Sequence, residues 1–378
     1  FQAGWSGAIF QGDNKKTLVQ AVMRDGTLIS IKERSEETEK KKRVGENEGR
    51  GNDKLDTEPY LQLTQLQVVK RYIIDYANKE KYQKGKKLWL EPLPNYLYLE
   101  DLKKIKEKQP IHDFKQRGMK IPIGLFDDPE NQEQPIFVLN LVESGHIGIC
   151  GRSTSGKSTF LQTFIYSVIQ NNPKEAVDLY LLDFNGGGMD IYDSAIQVRQ
   201  VIKEEEIEQL EIAFNNITKE MKYRKKKFAG GNFIQYSNRE KEDSEKFPLI
   251  FIVLDGFMEF CEMTYQRYED FLYSILREGE KLGVIIVISV ESFSSMHISM
   301  RLSELFKTKI CLYMKDSYAY AEAFDIIRSP ILPKKGVAGR GVAYYKERIL
   351  EFQTALVVKA ENDYVRQEII KRKLCEEG

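Results

Sequence analysis

The chain has 378 residues, with 57 Lys plus Arg against 57 Asp plus Glu, a net charge of zero that excludes a global electrostatic pull toward nucleic acid or an anionic membrane. At 42% hydrophobic residues it can bury a sizeable core, and its length allows two domains. The four cysteines, Cys150, Cys261, Cys311 and Cys375, lie far apart and form no CxxC pair, which favours reduced thiols in a cytoplasmic setting over a disulfide framework or a zinc site.

No apolar run approaches the ~20 residues of a membrane span, and nothing at the start reads as a targeting peptide. The opening FQAGWSGAIF has no initiator methionine, so a longer parent chain is expected. LVQAV and TLISI, joined through Arg24, Asp25 and Gly26, predict a hairpin within Lys16 to Ile31. From Lys32 to Lys54 the sequence is highly charged, lacks aromatics and reads as a mobile linker, its KKKR run a solvated cluster. TEPYLQLTQLQVVKRYIIDYA then predicts a helix, with Pro59 in its first turn and Leu63, Leu66, Val69 and Ile73 at helical spacing. LWLEPLP, Leu88 to Pro94, is an extended connector because its two prolines forbid helix. IPIGLF and PIFVLNL frame the polar turn DDPENQEQ as a second hairpin.

Beyond it, short apolar runs alternate with amphipathic helices. The order is HIGIC, the STFLQTFIYSVIQ helix, VDLYLLDF, a charged helix from about Lys203 to Phe228, IFIVLD, a helix through Tyr268 to Lys281, VIIVISV and KICLYM. That alternation predicts an α/β fold with a mainly parallel sheet covered by helices on both faces. GVAYYKE and ILEFQTALVV predict an edge hairpin before a C-terminal helix. The expected divisions are 1–31 as the tail of a preceding domain with its β-hairpin, 32–55 as linker, 56–120 as helical connector, 121–360 as the main domain and 361–378 as the terminal helix.

The strongest motif is GRSTSGKS, Gly151 to Ser158, following a buried-strand run and opening a helix: a P-loop, or Walker A, in its proper context. Gly151, Arg152, Ser153, Thr154, Ser155, Gly156, Lys157, Ser158 and Thr159 are the candidate nucleotide-binding residues. Backbone N–H groups at the helix N-terminus would cradle the phosphates of ATP, Lys157 would reach the outer phosphates, and the Ser158 hydroxyl would ligate Mg²⁺. In IFIVLDGFMEF, Asp255 arrives at a strand end and joins Ser158 as a candidate Mg²⁺ residue. The next residue is Gly256, where such enzymes usually carry a catalytic glutamate; Glu259 is the nearest acid downstream and a weaker candidate catalytic residue.

The order LLDFNGGG, IFIVLDGFMEF, LREGEKLGVIIVIS, LFKTKICLYMKD and GRGVAYY with EFQTA resembles the FtsK/SpoIIIE class of ring-forming ATPases. FQAGWSGA, a variable charged segment, LWLEPLP and then this domain resemble, more narrowly, the junction into the last ATPase domain of EssC-type proteins, the membrane-anchored motors of type VII secretion. The resemblance implies a RecA-like or AAA+ core with an N-terminal β-hairpin extension, sited at the cytoplasmic face of the membrane. It also implies other ATPase domains in the same chain, a homo-oligomeric or hexameric ring, and small helical-hairpin WXG-type export substrates as partners.

Departures from the family pattern gather around the γ-phosphate. Asn185 stands for the lysine of DFKGG, Gly256 for the glutamate of Asp-Glu-Phe, and Val290, Glu291, Ser292 and Phe293 for Thr-Gln-Arg-Pro. Loss of a general base typically lowers rate by ~10² to 10⁴, so the expectation is a degenerate Walker B site that binds ATP and hydrolyses it weakly or not at all. Ring ATPases complete the site with an arginine from a neighbour; Arg277 and Arg301 lie in suitable regions but read as ordinary surface residues. DNA translocation, which the class also performs, is disfavoured by the neutral charge and by reading MKYRKKKF, Met221 to Phe228, as a solvated helix end. A regulatory or substrate-docking module holding a structural nucleotide is the remaining alternative.

Overall fold

The computed structural model describes residues 20–22, 28–30, 64–80, 90–108, 119–186, 188–237, 246–329 and 331–377. The Asp25-Gly26 turn, the charged segment 32–55, Pro59, Leu63 and the Leu88-Trp89 start of the connector lie outside them. The chain divides into two compact units, Phe1–Lys87 and Leu88–Gly378.

In the first unit, strands β1 (Gln20–Val22) and β2 (Leu28–Ser30) pair antiparallel, as the two β-prone runs predict. Helix α1 (Gln65–Lys79) starts at Thr64, whose side chain accepts from Gln67 N while the Gln67 side chain accepts from Thr64 N, a reciprocal capping box that satisfies two orphan donors.

The second unit is built on a ten-stranded sheet in the order β4-β3-β12-β11-β10-β5-β9-β8-β6-β7. Its parallel half comprises β10 (Thr308–Leu312), β5 (Ile147–Cys150), β9 (Val284–Val290), β8 (Leu249–Asp255), β6 (Val177–Asp183) and β7 (Val198–Lys203). Every residue of β5, β8 and β9 is buried, as a sheet covered on both faces demands of its central strands. Helices α3 (Lys157–Asn171) and α7 (Glu269–Leu282) pack on it, α7 against β9 and α3 against β3 and β8. Helix α2 (Leu99–Lys108) packs on the β3–β4 end.

The antiparallel half comprises β3 (Lys120–Asp127), β4 (Ile136–Asn140), β11 (Arg340–Tyr345) and β12 (Arg348–Thr354). The β3–β4 hairpin forms over the polar turn as expected. The β11–β12 hairpin also forms, but it is not an edge: β11 pairs with β10 and β12 with β3, so both strands are interior. Continuous apolar runs ending in FQTALVV fit that interior place, and the edge falls to β4 instead.

Two further expectations are corrected. The charged helix α4 runs Ile207–Phe228, and its anticipated start at Lys203 belongs to the edge strand β7, whose VRQVIK mixes polar and apolar residues and so carries a weak strand signal. The MKYRKKKF end of α4 is not uniformly solvated either. Arg224 is 0% exposed; its Nε donates to Glu220 Oε1 at 2.7 Å and its Nη1 to Leu282 O at 3.0 Å, which pins the C-terminal end of α7 to α4. Cys150 and Cys311, distant in sequence, are register partners on β5 and β10 with their Sγ atoms 3.1 Å apart, both as free thiols.

Candidate nucleotide site

Parallel strands point their C-terminal ends at one edge of the sheet, and in this topology that edge gathers the ends of β5, β6, β8 and β9. β5 runs directly into the P-loop and α3 begins at Lys157 after Gly156, which sits at φ +102°. A Cβ at Gly156 would come within 2.6 Å of Gly339 N, so only glycine permits this close approach of the loop to the β11 turn. Gly339 N donates to Ser155 O at 2.8 Å, tying the loop to that turn. Thr154 is held at φ +65°, a conformation that a non-glycine residue adopts at some cost and that clusters at functional sites.

Lys157 Nζ donates to Gly151 O at 2.7 Å and to Arg152 O at 3.3 Å, curling over its own loop. Burial pushes its pKa below the usual lysine range, and Asp255, then Glu291, then more weakly Glu259 oppose that shift by their charge. Ser153, Thr154, Gly156, Lys157, Ser158 and Thr159 line a cavity of about 620 Å³. Gly151 and Arg152 contribute their carbonyls to Lys157, and Ser155 lies behind the lining with its hydroxyl buried and unpartnered.

Asp255, at the end of β8, is completely buried. Ser289 Oγ donates to its Oδ1 and accepts from Gly256 N at 3.0 Å, so one β9 hydroxyl fixes both the carboxylate and the turn after it. Burial raises the Asp255 pKa; the Ser289 and Ser158 hydroxyls and the Lys157 ammonium pull it back, while Asp183 adds to the rise. Asp183 is its register partner on β6 and accepts Met189 N at 3.0 Å, bracing the turn that carries Asn185. Asp255 Oδ2 has no hydrogen-bond partner. An anion buried beside a lysine and a hydroxyl, with a lone oxygen to spare, suits a hard divalent cation. The donor set therefore fits Mg²⁺, which Ser158 and Asp255 would hold while the P-loop amides would cradle the phosphates. Bound there, the metal would neutralise phosphate charge.

A group whose folded pKa is raised stabilises the fold below its unfolded pKa and loses that contribution as pH rises through the folded value. Burial therefore makes the ionised form of Asp255 unfavourable to the fold. Asp255→Asn, which keeps the oxygen that Ser289 bonds and leaves no charge to bury, is expected to raise the melting temperature and to abolish any Mg²⁺-dependent shift. Melting curves with and without Mg²⁺ check both; an unchanged or lower melting temperature would count against the carboxylate being ionised and strained.

The residues that depart from the family pattern meet in space. Asn185, Gly256, Val290 and Glu291 all line the cavity, and a Cβ at Gly256 would sit 3.0 Å from Asn185 Cβ. Phe293 does not join them: it is buried under Gly148, where its ring would lie 2.2 Å from an added Cβ. Glu259 lines the rim as an exposed residue in the first turn of α6 (Phe257–Met263). Glu291 is more firmly placed, since His297 Nε2 lies 3.3 Å from its Oε2 and the hydroxyls of Ser292 and Ser294 lie 2.9 and 3.0 Å from His297 Nδ1. His297 also lines the cavity and was not among the sequence candidates. Arg277 and Arg301 are exposed and engage Glu278 and Asp270, at 3.1 Å each, with Arg301 3.6 Å over the Tyr273 ring.

A second wall comes from residues that the sequence does not assign to the nucleotide site: Asn95 and Tyr96 of the connector, Gln353 and Thr354 at the end of β12 with Leu356 just beyond it, and Asp363 and Arg366 of the terminal helix α10 (Asp363–Glu377). Among the described residues, the buried polar side-chain atoms without a partner include Thr354 Oγ1 and Arg366 Nε, on residues that line the cavity, and Ser155 Oγ and Asp255 Oδ2, on residues buried behind its lining. Such atoms are costly unless a ligand, ion or water meets them.

Fold and site together define a P-loop ATPase. The FtsK/SpoIIIE family model matches residues 104–320, more than half of the chain, and the chain belongs to that family. It is 26% identical over 377 residues to the type VII secretion system protein EssC of Staphylococcus aureus (strain MRSA252), covering 100% of this chain and 24% of that protein. The ESX secretion system protein EccC of Geobacillus thermodenitrificans (strain NG80-2) is 25% identical over 311 residues, covering 82% and 20%. The chain thus spans about a quarter or less of the length of these relatives. Among solved structures, EssC (ATPases 2 and 3) from Geobacillus thermodenitrificans superposes with a TM-score of 0.63 at 26% identity, covering 76% of this chain and 52% of that one. Thermomonospora curvata EccC (ATPases 2 and 3), in complex with a signal sequence peptide, shares the fold at 23% identity and a TM-score of 0.59. Among the described residues, no helix is long and apolar enough to cross a membrane.

Proposed function

We propose that this chain is the nucleotide-holding ATPase module of a type VII secretion motor of EssC type, binding ATP with Mg²⁺ and hydrolysing it slowly or not at all. One observation carries the reading: Lys157 and Ser158 line one cavity, Asp255 is buried behind the Ser289 and Gly256 of its lining with one oxygen unpartnered, and position 256 has no side chain to polarise water. The nucleotide then acts as a conformational latch.

We further propose that the module stands beside other ATPase domains at the cytoplasmic face of the membrane, within a homo-oligomeric ring. Its cargo would be small helical WXG-type proteins. The signal peptide bound to the EccC relative supports a peptide-docking role by likeness. The burial of Arg224 removes one cation from MKYRKKKF and weakens the DNA-translocating alternative. We assign residues 121–360 to the ATPase core and 361–378 to its terminal helix, with 56–120 as connector, 32–55 as linker and 1–31 as the tail of a preceding domain.

Calorimetric titration with MgATP tests the reading. The unsubstituted chain is expected to bind, and Lys157→Ala to bind at least about tenfold more weakly, since a hydrogen bond to a charged group contributes roughly 1.5–3 kcal/mol. No binding, or binding indifferent to Lys157, would sink it. Turnover near the ~10 s⁻¹ of ordinary enzymes would sink the latch. A second reading, hydrolysis at a reduced rate with Glu291 as the water-polarising acid, draws on the His297 brace and on the influence of Glu291 on Lys157, which exceeds that of Glu259; Glu291→Gln would then remove the residual turnover.

A further inference from the structure

The P-loop lines one part of the cavity, and Asn95 and Tyr96 of the connector, residues 90–98, line another; the connector is tied down on both sides of a short apex. Before the apex, the buried Arg340 donates from Nη2 to Leu93 O at 3.0 Å and to Pro94 O at 2.9 Å. After it, Leu356 N donates to Leu97 O at 2.7 Å and Leu99 N to Leu356 O at 3.0 Å. Between these anchors stand Asn95 and Tyr96, and both line the cavity. Tyr96 is 73% exposed, an aromatic ring offered to solvent by a braced backbone. Leu356 supplies an apolar surface next to it, and the unpartnered Thr354 Oγ1, on a residue only 2% exposed, and Arg366 Nε supply polar atoms on the same wall. An aromatic face, an aliphatic patch and a few unmet polar groups are what a heteroaromatic base and its sugar require.

The same anchors lead back to the P-loop. Arg340 Nε donates to Gln353 Oε1 at 2.8 Å, Gln353 Nε2 donates to Ala338 O at 3.0 Å, Thr354 N donates to Gly339 O at 2.8 Å, and Gly339 N donates to Ser155 O at 2.8 Å. Phosphate loop and connector are thus two ends of one hydrogen-bonded frame.

Resting on the nucleotide reading above, we propose that the connector apex is the base-binding side of this site: the adenine ring of ATP stacks on Tyr96 beside Leu356, and the bound nucleotide spans from the P-loop to the connector and orders it. The segment that leads into the ATPase unit is thereby made to sense occupancy.

The test compares MgATP with magnesium tripolyphosphate, which has the phosphates and no base, on the full chain. Base–aromatic stacking contributes ~1–3 kcal/mol, so Tyr96→Ala is expected to weaken ATP about five- to hundredfold, to leave tripolyphosphate within about twofold, and Tyr96→Phe to behave as the unsubstituted chain. Amide hydrogen exchange at residues 93–99 should slow with ATP and not with tripolyphosphate. Equal losses for the two ligands, no loss for ATP, or equal protection of the connector by both would each overturn the proposal. Its failure is separable from that of the phosphate end: if Lys157→Ala weakens tripolyphosphate while Tyr96→Ala spares ATP, only the base side falls. Absence of binding by either ligand overturns both.

Discussion

Gly256→Glu, the substitution that writes the missing acid back into the second motif, is expected to destabilise the fold by about 2–6 kcal/mol and to leave ATP turnover unrescued. Gly256 sits at φ +83°, a left-handed conformation that costs a side chain of order 1–3 kcal/mol. A Cβ there would also lie 3.0 Å from Phe184 O and from Asn185 Cβ, a crowding that adds a further penalty of roughly 1–3 kcal/mol where neighbours cannot move. The backbone after β8 has adapted to having no side chain. Urea unfolding and steady-state turnover, measured on the same preparations, check the two parts. An undiminished stability together with a gain in turnover of ~10²-fold or more, the lower end of what a general base supplies, would mean that the turn relaxes freely and that only a side chain had been lost.

The second large effect is a loss of stability in mild acid traceable to one residue. His146 precedes β5, is 1% exposed, and accepts Ile286 N at Nδ1 over 3.0 Å, while its Nε2 has no partner. Burial pushes its pKa down from 6.5 to about 4. The unfolded chain therefore takes up a proton that the folded chain refuses, and stability falls as pH drops from about 6.5 toward 4. The full loss is about 3 kcal/mol, with about 2 kcal/mol gone by pH 5, at 1.36 kcal/mol per unit. Protonation on Nδ1 would put two donors face to face at Ile286, near the start of β9, the strand that also carries Ser289. Chemical unfolding at pH 7 and pH 5 measures the loss, and His146→Asn should flatten it. A difference of the same size in that variant would exonerate the histidine.

How much of this could be read from the sequence follows from how local each signal is. The P-loop was legible because its nine candidate residues are contiguous and lie between a strand and a helix. The buried parallel strands were legible because IFIVLD and VIIVISV are apolar throughout. β7 was not, since VRQVIK sits at an edge and mixes polar with apolar residues beside the acidic run 204–206. The place of β11 and β12 inside the sheet was misjudged because hairpin pairing is local while pairing to β10 and β3 is not. The same cause hid the second wall of the site. Tyr96 and Arg366 belong to no motif and Thr354 only to the EFQTA run, and the three are brought together by the fold. Clustered departures from a family pattern did point correctly to one place for Asn185, Gly256 and Glu291, and misled at Phe293, which fills the core under β5.

The frame that joins Ser155 through Gly339 and Gln353 to the connector bears on what can be exchanged between members of the family. The family segment 104–320 stops before β11, β12 and α10, and it begins after Asn95 and Tyr96. A chimaera spliced at those limits would transplant the phosphate loop while drawing its opposite wall from the recipient, matching two halves of one pocket that had never been selected together. Splices outside residues 90 and 377 keep donor and wall on the same side of the junction.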